Sequence, residues 1–207
     1  MADDLSKHRI RETYSRLLQI NNSSTGAVLK GDGSDCGPLQ IDSYTAVAVG
    51  AGFSVKASQP QMWVQSINGE VVTTIYHDIG AGSIVSSSDA GDVIGLNNAS
   101  SSYLTRIQTA TNGIIYKGEI ICLEVPTTGD PDINLSANSI GSLAEDAGGE
   151  AQHVLANCGV HTLAGRTELT IPSGGIQSDY LYFTHGGTTA GTYDAGKLLI
   201  KLYGYVV

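Results

Sequence analysis

The run Lys197-Leu-Leu-Ile-Lys-Leu-Tyr-Gly-Tyr-Val-Val207 constrains this chain more than any other stretch. Leu198, Ile200 and Leu202 share one parity, and Leu199, Lys201, Tyr203 and Tyr205 share the other. That is a β-strand with an apolar face and a mixed face. A strand this apolar aggregates if its edge is left free. It is therefore expected to be paired, buried and responsible for closing the core. The residues before it agree: Asp179-Tyr-Leu-Tyr-Phe-Thr184 is dense in β-favouring residues, and a Gly-rich turn segment from His185 to Gly196 separates the two runs.

The same alternation extends back to Ala27. Val47, Val49, Phe53 and Val55 share a parity, with Gly50 and Gly52 placed to bend a strand. Gln61–Ile67, Asn68-Gly69 and Glu70–Tyr76 predict a hairpin closed by a two-residue type I′ turn. Asn112-Gly113 predicts a second hairpin between 103–109 and 114–116, leading into Glu119–Val125. Residues 80–91 read as a loop with a short strand at Ile84-Val85. Further strands are expected at 132–135, 153–163 and 168–171, with a helical turn at Leu143–Asp146. Pro126-Thr-Thr-Gly-Asp-Pro131 is read as a turn between sheets, with a sub-domain boundary as the alternative. Only 15% of the residues are charged and 26 are Gly, a composition of short strands and tight turns. The expected fold is all-β: an antiparallel, jelly-roll-like β-sandwich over residues 27–207.

Residues 1–26 read differently. Ile10, Tyr14, Leu17 and Leu18 recur at helical spacing, Asp3 or Asp4 can cap, and Asn21–Gly26 ends the helix. Residues 1–20 hold four basic against three acidic residues, whereas the rest of the chain holds seven against seventeen. The predicted element is an amphipathic arm that docks on a partner through Ile10, Tyr14, Leu17 and Leu18, with Arg9 and Arg16 orienting it. Packing on its own sandwich is the competing reading.

A net charge of −9 argues against a nucleic-acid partner, because phosphates must be neutralised by Lys and Arg. No apolar run is long enough for a membrane helix, and no signal-peptide pattern opens the sequence. Cys36, Cys122 and Cys158 are odd in number and widely spaced, the pattern of free thiols rather than of a disulfide framework or a zinc site. Asp32-Gly-Ser-Asp35 and Asp89-Ala-Gly-Asp92 lack the spacing of a calcium loop and read as turns. His153, Cys158 and His161 match no zinc template. No nucleophile elbow, zinc-protease helix or phosphate-binding loop occurs. The expectation is a protein that is not an enzyme and uses no cofactor. Tyr180, Tyr182, Tyr193, Tyr203 and Tyr205 are the candidates for an oligomer face or a glycan face, against cross-strand pairing within the sheet.

Asp179-Tyr-Leu-Tyr-Phe183 followed by the run from Ala190 to Tyr205 resembles the C-terminal signature of small virion proteins of tailed bacteriophages, marine ones especially. Asp130-Pro-Asp-Ile-Asn-Leu135 with Glu145-Asp146 is similar to the same group. So is the stretch from Lys30 to Ile41, which departs from the usual preamble at Cys36-Gly-Pro38. The resemblance implies a structural protein of the head or a fibre. On this reading it is a decoration or cement protein, made in the host bacterial cytoplasm. It would form a homotrimer on the capsid exterior and bind the major capsid protein. The alternative it implies is a receptor-binding head- or tail-fibre domain for host glycans.

Overall fold

The computed structural model describes residues 49–54, 59–148 and 153–206, together with two short strands, β1 (Gln19–Ile20) and β2 (Val28–Leu29). The predicted helical arm lies outside the described residues. The chain forms two compact units, residues 1–42 and 43–207. In the first, β1 and β2 pair antiparallel.

The second unit is all-β, the class expected, with three antiparallel sheets among its described residues. The largest holds β3 (Gln61–Ile67), β4 (Glu70–Asp78), β8 (Ile114–Thr127), β11 (Arg166–Glu168) and β14 (Ala195–Tyr205), in the order β11-β8-β14-β4-β3. The second holds β7 (Thr105–Arg106), β9 (Ile133–Asn138), β10 (His153–Ala156) and β12 (Tyr180–His185), in the order β10-β9-β12-β7. A small third sheet, β13-β5-β6, is built from β5 (Ile84–Ser86), β6 (Gly95–Leu96) and β13 (Gly191–Thr192).

The terminal run behaves as its alternation demands. β14 pairs with β4 on one side and β8 on the other, so it has no free edge. Leu198, Ile200 and Leu202 are fully buried. They join Ile75 and Ile120 of their own sheet and Leu135, Leu181 and Phe183 of the second sheet in one core. His77 belongs to that core, with its ring edge-on to Phe53 at 4.7 Å and to Phe183 at 5.5 Å. The second sheet is buried on its other side too. Tyr182 packs there with Val93 and Leu143 in a smaller cluster. This explains why every residue of β9 is buried although its sequence, Ile133-Asn-Leu-Ser-Ala-Asn138, alternates apolar and polar.

The Asn68-Gly69 hairpin forms as predicted, with φ of 53° and 85° at its two central residues. These positive angles match the right-handed strand twist that a type I′ turn requires. The second Asn-Gly does not make a hairpin. Residues Thr109–Asn112 form a one-turn helix, α1, and β7 pairs with β12 instead. The Asn112 side chain decides this. Its Oδ1 accepts the Gln108 N–H at 2.8 Å, and its Nδ2 donates to Thr73 Oγ1 at 3.0 Å.

Other local expectations also shift. Ala51–Phe53 is a 3₁₀ turn, not a strand, held by the Gly50 N–H on the Tyr103 carbonyl at 2.9 Å. The strand expected over 153–163 stops at Ala156, and that over 168–171 occupies Arg166–Glu168 instead. Leu143–Asp146 has no helical turn. Residues 128–132 carry the chain from the first sheet to the second, as the turn reading of that segment requires.

This crossover is pinned at both of its central backbone groups. Ser86 Oγ accepts the Asp130 N–H at 3.1 Å, and Tyr193 donates its hydroxyl to the Asp130 carbonyl at 2.9 Å. Gly129 allows it, because a Cβ there would lie 2.6 Å from the Tyr193 ring.

Candidate functional site

The fold separates the five tyrosines that the sequence offers as one face. Tyr182 and Tyr193 are inside, 1% and 2% exposed. Each gives its hydroxyl to a backbone carbonyl, Ile140 for Tyr182 and Asp130 for Tyr193. Burial pushes the Tyr182 hydroxyl up to about 12 and moves that of Tyr193 further in the same direction. Both are framework residues. Tyr180 lies on the second sheet, edge-on to Tyr103 at 4.9 Å, with the Arg106 guanidinium 5.3 Å from its ring centre. Only Tyr203 and Tyr205 remain together, on the outer face of the five-stranded sheet. The arm residues Arg9, Ile10, Tyr14, Arg16, Leu17 and Leu18 lie outside the described residues.

That outer face follows from the register. Because side chains alternate across a strand, the residues opposite one another form rows. Ile121, Leu199 and Tyr76 make one row across β8, β14 and β4, and Lys117, Tyr203 and Val72 make another. Trp63 extends the face onto β3, opposite Thr74. At one end, a register shift between Lys197 and Leu198 leaves Leu123 as the extra residue of a bulge, 43% exposed. A bulge of this kind re-aims a side chain. At the other end, Tyr116 and Tyr205 are 52% and 47% exposed, with ring centres 6.3 Å apart.

Several charges on this face pair within it. Lys197 bonds Glu124, which lowers the Glu124 carboxyl and raises the lysine. Arg166 pairs with Glu119, which also accepts the Tyr203 hydroxyl at 3.1 Å. Tyr116 donates to Glu70 at 2.7 Å, and that bond is the main cause of its raised hydroxyl. Lys201, opposite Glu119 and Thr74, and Lys117, opposite Tyr203, lie on the same face. The surface therefore mixes aromatic and aliphatic side chains with charge, on a chain whose net charge is −9.

A second cluster has the residue types of chemistry but not the access. His185, Asp130 and Asp92 lie at the end of β12, each at most 4% exposed. His185 Nε2 accepts the Ser87 N–H at 2.9 Å, which puts the proton of the neutral ring on Nδ1, 3.7 Å from Asp130 Oδ2. Ser87 donates its hydroxyl to Asp92 at 2.6 Å. Burial lowers the His185 pKa, against the three carboxylates Asp130, Asp92 and Asp146. A histidine sealed from solvent cannot meet a substrate, and its bonds tie the loop after β5 to β12. His161 is likewise buried, with Nε2 2.9 Å from the Ile133 carbonyl. Among the described residues, no three His, Cys, Asp or Glu side chains are placed to hold a metal ion.

An open polar cavity of about 460 Å³ lies beside the third sheet, lined by Ser87, Asn98, Glu145, Asp146 and Thr192 among others. Burial is the main cause of a raised Glu145 carboxyl, which accepts the Asn98 N–H at 3.1 Å. No tyrosine lines this cavity. No helix among the described residues is long and apolar enough to cross a membrane.

No protein-family model, no curated protein and no solved structure matches the chain. The outer face itself was half legible beforehand. The alternation of β14 marks Leu199, Tyr203 and Tyr205 as one side of a strand. Nothing local announced that Tyr76, Trp63, Ile121 and Leu123 would share it.

Proposed function

We propose that this chain is a non-enzymatic structural protein of a tailed-phage particle, a decoration protein that docks on the outside of the major capsid shell. The observation that carries the reading is the outer face of the five-stranded sheet. It carries Leu123, Ile121, Leu199, Tyr203, Tyr116 and Tyr205, with the ion pairs Lys197–Glu124 and Arg166–Glu119 among them. Interface cores are depleted in charge and enriched in aromatic residues. The resemblance of residues 179–205 to phage virion proteins supplies the biological setting. A protein that binds only the assembled shell stabilises it by mass action. The amphipathic segment 1–20 would supply a second contact.

The test is occupancy on purified particles. The wild-type chain should appear in many copies on the icosahedral lattice. Leu199→Asp with Tyr205→Asp should keep a cooperative melt and lose that occupancy. Occupancy unchanged by the double substitution removes the sheet face from the mechanism, and a few copies at the tail replace decoration with a fibre. The fibre reading draws on the polar cavity, whose hydroxyl, amide and carboxylate groups suit sugar hydroxyls. It predicts binding to host glycans that Glu145→Gln weakens.

A further inference from the structure

One bond beside the polar cavity exists in a single protonation state. Ser87 donates its backbone N–H to His185 Nε2 at 2.9 Å. A ring nitrogen accepts only while it carries no proton. Protonating Nε2 sets two donors face to face, and Ser87 has to leave.

The surrounding bonds fix how much of the chain leaves with it. Ser86 stays, because its hydroxyl donates to the Thr189 carbonyl at 2.9 Å and its oxygen accepts the Asp130 N–H at 3.1 Å. Gly91 stays, with its N–H on the His185 carbonyl at 3.0 Å. Asp92 stays too, because its carbonyl accepts the His185 N–H at 3.0 Å. None of these bonds depends on the state of the ring. The segment free to swing is therefore Ser87–Ala90, and its residues Ser88, Asp89 and Ala90 are already exposed. A short, solvent-facing segment of this kind opens at low cost.

The same segment borders the polar cavity. Ser86, Ser87 and Ser88 line it together with Asn98, Glu145 and Thr192. Moving Ser87 therefore changes the shape of the cavity.

We propose that His185 is an acid-operated latch on this cavity: its neutral ring holds Ser87 and keeps the wall closed, and its imidazolium releases Ser87–Ala90 and opens the wall. The groups facing the ring set the sign. Asp130 comes from the crossover, with Oδ2 3.7 Å from Nδ1. Asp92 comes from the end of the loop after β5, and Asp146 from the segment after Leu143. Asp132 sits beside the next residue, where its carbonyl accepts the Gly186 N–H. The carboxylates Asp130, Asp92 and Asp146 favour the charged ring, but burial outweighs them while the latch is shut and lowers its pKa. Once Ser87 swings away, Nε2 is hydrated, and the same carboxylates act without that penalty. The open form thus binds the proton more tightly. The latch is shut above about pH 6.5 and opens progressively below it. It is a property of the chain in solution and works the same whatever the cavity holds and wherever the chain sits on a particle.

The test is NMR of the full chain from about pH 7.5 to about pH 5, the range in which histidines titrate. Ring nitrogen shifts should show Nε2 of His185 unprotonated at the upper end and protonated with a midpoint below about 6.5. Backbone order parameters of Ser87–Ala90 should fall with that midpoint, from about 0.85 to below about 0.6, while Gly91 and Leu198 stay rigid. The amide shifts of Asn98 and Thr192 should move in step. His185→Gln offers an amide oxygen to the Ser87 N–H at every pH and should keep the segment ordered throughout. His161→Gln should titrate as the wild type does. A wild-type segment that stays rigid while the ring protonates overturns the proposal, and so does a ring that stays neutral to the end of the range. A folded His185→Gln variant whose segment loosens in acid as the wild type does overturns it as well.

Discussion

Replacing Tyr193 by Phe removes one oxygen and tests the account of the crossover. The Tyr193 hydroxyl lies in the interior and donates to the Asp130 carbonyl at 2.9 Å. The ring stays in its slot against Gly129, so the change creates almost no cavity and isolates the hydrogen bond. A buried carbonyl deprived of its donor costs about 1–2 kcal/mol, between the net value of an ordinary bond and the full desolvation penalty. For a domain of this size each kcal/mol moves the melting temperature by about 2–4 °C, so the midpoint should fall by about 2–8 °C. Urea unfolding should show a lower midpoint at unchanged slope, because the exposed surface is the same. Gly129→Ala should cost about 1–3 kcal/mol by overpacking the same ring. The two changes share a partner and should combine non-additively. If Tyr193→Phe melts with the wild type and instead weakens glycan or particle binding, Tyr193 is an accessible contact. The account of the pinned crossover would then be wrong.

Ile200→Ala, in the middle of the central strand and fully buried, should destabilise the body by about 2–5 kcal/mol in urea melts. Burial lowers the folded-state pKa of His185 and His161. The unfolded chain therefore takes up protons first as pH falls through about 6.5, and stability present above that value is lost below it. Melts at neutral and mildly acid pH should show the loss, and His161→Gln should reduce it. Asp132, Glu145 and Asp179 are shifted up, mainly by burial, and act in the opposite sense in the carboxylate range. Cys122 is buried and the Cys158 thiol is pushed up to about 11, so both should react with a thiol reagent only after denaturation. Deleting residues 1–20 should leave a cooperative melt while lowering particle occupancy. Loss of the transition would place that segment in the core of the body.

The sequence by itself determined the elements whose signals are local and periodic. The alternation from Leu198 to Tyr203 predicts a two-faced strand, and Asn68-Gly69 between β-rich runs predicts a hairpin in which each central residue takes positive φ. Composition and turn density carry the all-β class. Tertiary structure decided the rest, because the deciding contacts are distant in sequence. Asn112-Gly113 has the same local signature as Asn68-Gly69, yet the Asn112 side chain reaches Thr73 and holds a helical turn. Tyr182 and Tyr205 look alike along the chain. One is covered by Val93 and Leu143, and the other is left on a solvent-facing sheet surface. His185 reads as a turn residue beside Gly186, and the return of Ser87 and Asp130 to the end of β12 buries it. A pattern of period two fixes which residues share a side of a strand. Which side is covered depends on what the remaining chain brings to it.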